Sequence, residues 1–146
     1  MELESLIDVK PFSLDRNKKI TLLKEMLFNL TRYHYENCLE YKNLLDSMNF
    51  KMENRSAYVN IPFLPVRLFK MFDLISVPSD SIFKTMTSSG TTGQSVSKIF
   101  LDKKTSLNQS KVLTKIVSSF LGSKRTPMLI IDSDQVLKNR NMFSAR

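Results

Sequence analysis

Cysteine and histidine each occur once in this chain of 146 residues, and long apolar runs do not occur at all. One cysteine, Cys38, excludes an internal disulfide framework and a cysteine-rich zinc site, and it fits a reducing cytoplasm. No apolar stretch approaches the roughly 20 residues that span a bilayer. The opening Met1-Glu2-Leu3-Glu4 carries acid where a secretory leader needs base. A soluble, cytoplasmic protein is therefore expected. Internal repeats and low-complexity tracts are missing as well. His34 stands four residues from Cys38 with no fixed acid to orient it, so packing is the expected role of both, and no catalytic or metal-ligating residue is assigned.

The residues that are present support one compact domain, because 42% of them are hydrophobic and the length is enough for a real core. The formal charge of +8 raises the question of nucleic acid, since a basic face neutralises phosphates and releases counterions. The basic residues are scattered. They come in short groups, Arg16/Lys18/Lys19, Lys103/Lys104, Lys124/Arg125 and Lys138/Arg140, among acids, which reads as solvated faces and argues against a nucleic-acid surface.

Residues 1–12 read as a lead-in closed by Pro11. Ser13 or Asp15 then caps a long amphipathic helix over 13–48, in which Ile20, Leu23, Leu27, Leu30, His34, Cys38, Tyr41, Leu45 and Met48 follow at spacings of three or four. Residues 49–81 are read as a loop followed by a short helix from Pro65 to about Met71. In 82–146, two β-rich runs, Ile82 to Thr87 and Val96 to Leu101, are expected to pair as a hairpin. A second amphipathic helix is expected over 104–121, stopped by Gly122. Met128-Leu129-Ile130-Ile131, bounded by Pro127 and Asp132, reads as a buried parallel strand. The fold class implied is α/β or α+β.

The tip of the expected hairpin carries the chemistry. Thr87-Ser88-Ser89-Gly90-Thr91-Thr92-Gly93 places five hydroxyls and two glycines in seven positions. Glycine lets the backbone approach phosphate oxygens and turn successive N–H groups into one concavity, and hydroxyls add donors. Lys98 follows as a point charge. This is not the P-loop of NTPases, because Gly90 and Gly93 are too close together and no lysine follows the second glycine directly. The residues alone leave a second reading open, a small basic module that holds nucleic acid or a phosphorylated partner without catalysis.

The order S-S-G-T-T-G resembles the phosphate loop of the acyl-adenylate-forming enzymes, T-S-G-T-T-G-x-P-K, although no proline precedes Lys98 and Lys98 stands farther from Gly93. With Ser95-Val96-Ser97-Lys98-Ile99-Phe100-Leu101-Asp102 behind it, the segment most resembles the acyl-protein synthetases, the fatty acid–luciferin-component ligases, relatives of phenylacetate–CoA ligases. His34-Tyr35-Glu36-Asn37-Cys38 with Tyr41, Ile61-Pro62 with Leu68-Phe69-Lys70, and Met128 to Ser133 resemble segments of that family in the same order. The resemblance implies an enzyme that activates a fatty or other carboxylic acid with ATP and Mg²⁺. The acyl-adenylate would then pass its acyl group to a protein thiol and on to an acyl reductase partner. It implies phosphate-binding roles for Ser88, Ser89, Gly90, Thr91, Thr92 and Gly93, with Lys98 the weaker candidate. It also implies that the chain is the N-terminal part of an acyl-adenylating domain and inactive by itself. The family's acyl-accepting cysteine lies toward the C-terminus, so Cys38 is not matched to it.

Overall fold

The computed structural model describes residues 6–52, 60–88, 95–127, 129 and 131, together with the backbone of 142–144. The first long element, α1 (Arg16–Asn37), starts where Asp15 accepts a hydrogen bond from the Lys18 N–H at 2.9 Å, which satisfies one of the free donors of the first turn. It does not run on to residue 48 as the periodicity predicts. At Cys38 the backbone turns extended, φ −130° and ψ 108°, and a separate helix α2 (Leu39–Ser47) follows. The break leaves no backbone group of Cys38 unmet. Its N–H donates to the His34 carbonyl at 2.9 Å and its carbonyl accepts from Lys42 at 2.9 Å, while the Asn37 side chain donates to the Tyr33 carbonyl.

Tyr35 shows what the break achieves. Its hydroxyl reaches Asp46 Oδ1 at 2.7 Å, eleven residues on. In one unbroken helix that separation would be about 16 Å along the axis. Bent back, the two helices close around Cys38, 2% exposed, and Leu45, fully buried, with Phe28 and Thr31 buried on α1. The expected stripe is only partly inward, since Leu23, Leu27 and Leu30 are 37–48% exposed.

The short helix α3 (Leu68–Met71) lies in the 49–81 segment and packs against the sheet. A 3₁₀ turn at Ser79–Ser81 leads into β1 (Ile82–Thr87), which pairs antiparallel with β2 (Lys98–Asp102) from Thr87↔Lys98 to Ile82↔Asp102, with an irregularity between Ile82 and Lys84. The hairpin is as the β-rich runs predict. Helix α4 (Lys103–Leu121) follows without a linker, capped by Asp102, whose carboxylate accepts from the Thr105 N–H at 2.7 Å. It ends at Gly122, whose φ of 82° suits glycine. α4 packs against β1 and β2 and buries Ser106 and Asn108, while the predicted apolar positions Leu107, Leu113, Ile116 and Phe120 remain exposed.

A third strand, β3 (Met142–Ser144), pairs parallel with β1 and completes the order β2-β1-β3. This is not the strand read from the sequence. Leu129 and Ile131 are in no strand and are 87% and 91% exposed, and Met128 and Ile130 lie outside the described residues. A short apolar run has no period with which to announce its state, so only its contacts decide it. The whole is a mixed arrangement of helices and one small sheet, consistent with the α/β or α+β class. Among the described residues no helix is long and apolar enough to cross a membrane.

Candidate functional site

β1 ends on Thr87, 9% exposed, and the hairpin is latched one residue beyond it. The Ser88 N–H donates to the Ser97 carbonyl at 3.1 Å, and the Ser97 N–H donates to Ser88 Oγ at 3.0 Å. Residues 88 and 97 are therefore held together, and the hydroxyl–glycine segment falls between them in the sequence. Of the predicted phosphate ligands, Ser89, Gly90, Thr91, Thr92 and Gly93 lie outside the described residues. Ser88 and Lys98 are described. Ser88 Oγ accepts from the backbone and retains its own proton to donate.

Lys98 begins β2 and its Nζ lies 3.1 Å from Asp73 Oδ1, 25 residues earlier. Both side chains are about half exposed, and such a pair contributes about 0–1 kcal/mol, so the ammonium can exchange its partner. No local signal announces this contact, because the two residues meet only through the fold. Ser97 was also missed. Its residue is 8% exposed and its Oγ is buried with no hydrogen-bond partner among the described residues. A buried polar group in that state costs free energy until something meets it.

Against the same strand lies a cavity of about 490 Å³, bounded by α1, α2, residues 64–77 and β2. Leu30, Leu64, Phe69, Leu74, Val77 and Phe100 supply its apolar wall. The polar groups there are mostly engaged with one another. His34 Nδ1 lies 2.7 Å from Ser76 Oγ, and the Tyr33 hydroxyl donates to the Ser76 carbonyl at 3.0 Å. The His34 ring also meets Tyr33 and Tyr41 edge-on, with centroids 5.5 and 6.0 Å away. Burial holds the His34 pKa below its ordinary 6.5, and burial chiefly raises that of Tyr41 above 10.0. Cys38 is a buried free thiol on this wall, donating to Glu40 Oε2 at 3.6 Å.

Donors of this kind suit the phosphates of a nucleotide. Ser88 presents a hydroxyl at the base of the loop, the Ser97 hydroxyl lies buried there, and Lys98 presents an exchangeable cation. Among the described residues no group of three or more His, Cys, Asp or Glu gathers.

The sequence model of one protein family, acyl-protein synthetase, LuxE, matches residues 2–146. The chain belongs to this acyl-protein synthetase family. It is 30% identical over 79 residues to a long-chain-fatty-acid–luciferin-component ligase of Photorhabdus luminescens. That match covers 54% of this chain and 66% of the relative, so the chain spans just under two thirds of that protein's length.

Proposed function

We propose that this chain supplies the phosphate-holding part of an ATP-dependent acyl-protein synthetase. The substrate is a fatty or other carboxylic acid, activated as its acyl-adenylate and passed to a protein thiol and an acyl reductase partner, in the cytoplasm. The observation that carries the reading is the latched hairpin, with Ser88 and Ser97 closing the base of a segment that holds Ser89, Gly90, Thr91, Thr92 and Gly93. Family membership and the name of the matched ligase support it.

In this reading the acid's carboxylate oxygen bonds to the α-phosphorus of ATP and the bond to the β-phosphate oxygen breaks, so negative charge grows on departing pyrophosphate. Hydroxyls and backbone N–H groups fixed around the β- and γ-phosphates meet that charge without reorganising. Ser88, Thr91 and Thr92 donate hydrogen bonds, and Gly90 and Gly93 allow close backbone approach. Lys98 exchanges Asp73 for a phosphate oxygen or for the acid itself. Mg²⁺ would accompany ATP.

Nucleotide binding by the chain is the direct test. Titration with MgATP should give saturable binding that Gly93→Val abolishes while the helical circular dichroism is retained. Equal affinity in the wild type and Gly93→Val would reduce the segment to an ordinary surface loop. If the loop does bind, Thr91→Ala and Thr92→Ala should each slow adenylate formation by about 10²- to 10³-fold in the complete enzyme, the usual effect of losing one donor to developing charge.

A further inference from the structure

The 490 Å³ cavity shares Lys98 with the base of the phosphate loop. Lys98 pairs in register with Thr87, one residue before the Ser88–Ser97 latch, and from there the cavity wall follows β2 as far as Asp102. Four residue steps along a strand make a wall of about 13 Å. The volume falls in the range of about 300–1,000 Å³ that small-molecule sites occupy. The wall is aliphatic and aromatic, and its polar members hold one another, His34 to Ser76 and Tyr33 to the Ser76 carbonyl. With its pKa lowered, His34 adds no charge near neutral pH. One exchangeable cation at one end of a largely apolar wall, with the Asp102 carboxylate at the far end engaged by the Thr105 N–H, matches an unbranched acid with a single carboxylate head.

We propose that this cavity is the acyl-chain site, with the carboxylate held toward Lys98 and the hydrocarbon packed between α1, residues 64–77 and β2. This rests on the reading of the chain as part of an acid-activating ligase. It adds where the acid binds and what measures its length. A carboxylate seated at Lys98 is directed toward phosphates held at the neighbouring hairpin tip. Asp73 competes with the substrate for the same ammonium.

The test is displacement of cis-parinaric acid from the 146-residue chain by straight-chain acids of eight to sixteen carbons. Affinity should rise about fourfold per methylene, the factor for burying one CH₂, and level off once the cavity is filled. Leu30→Trp and Val77→Trp, which fill the cavity from two different walls, should each weaken binding of the longer acids by about tenfold or more, the equivalent of about two methylenes. Leu113→Trp, on the exposed face of α4, should change nothing. Asp73→Asn should tighten binding by up to about fivefold, the value of a surface ion pair removed from competition. Two cavity variants are used so that one that unfolds, judged by circular dichroism, does not decide the matter.

Binding indifferent to chain length, or weakened equally by Leu113→Trp, would overturn the site, as would folded cavity variants that bind like the wild type. MgATP titration of the same proteins separates the two proposals. If nucleotide binds and Gly93→Val abolishes it while the acid series shows no cavity dependence, the acyl site alone fails. If the acid series behaves as expected and nucleotide never binds, the ligase reading fails and the cavity remains an acid-binding site.

Discussion

Ser97 buries a hydroxyl that no described residue meets, and a buried group left in that state costs about 1–3 kcal/mol. In the proposed function a phosphate oxygen reaching the base of the loop would satisfy it. Ser97→Ala should therefore leave the melting temperature unchanged or slightly raised while weakening ATP binding by about tenfold, the lower end of a hydrogen bond to a charged group. Undiminished ATP affinity would mean that the hydroxyl is only a packing atom. His34 allows a second check. Burial lowers its pKa in the folded state, so the unfolded chain takes up its proton first as pH falls. The stability that neutral His34 contributes is full above 6.5 and is lost as pH drops below that value through the lowered folded pKa. Thermal melts from pH 7.5 to 5 should show this decline, and His34→Gln should flatten it. An equal slope in the variant would assign the decline to other groups.

At the level of elements, the signals that were legible were local ones. Asp15 as a cap, the two β-rich runs of the hairpin and the stop at Gly122 each depend on a few neighbouring residues, and each is where the sequence puts it. The break at Cys38 was not legible, because Leu30, His34, Cys38, Tyr41 and Leu45 keep helical spacing across it. Tertiary contacts such as Tyr35 to Asp46 decide that turn. The candidate site divides in the same way. Its hydroxyl–glycine segment announces itself, whereas Asp73 beside Lys98 and Ser76 beside His34 are brought in from 25 and 42 residues away. Gly122 gives the test that belongs to this scale. A Cβ there would meet nothing within 4 Å, yet φ 82° with ψ 172° is backbone that essentially only glycine adopts. Gly122→Ala should therefore destabilise the chain by about 1–3 kcal/mol through strain alone. A loss no larger than a few tenths in urea denaturation would show that the end of α4 relaxes freely.

Across the whole molecule, the +8 charge has to be reconciled with the proposed site for one small polyanion. Several of the cations are already engaged locally. Lys18 pairs with Asp15, Lys98 with Asp73, and Lys115 with Asp8, which also ties the lead-in to α4. Such pairs are weak individually, but they place acids among the bases on the described surface. A nucleic-acid module would neutralise several phosphates together, and its log affinity would fall by about 0.9 per phosphate for each unit of log salt concentration. Lys98 at the base of the loop, with Arg67 and Lys70 lining a hollow that reaches Ser95, makes a small group of cations with few counterions to release. ATP affinity should therefore decline only shallowly between about 50 and 200 mM salt, and duplex DNA at equal phosphate concentration should not displace ATP at the upper end of that range. Pyrophosphate should displace it, because the loop is expected to grip the β- and γ-phosphates. If DNA displaces ATP and does so with a steep salt slope, the scattered lysines act together after all, and the basic binding module becomes the better account of the loop.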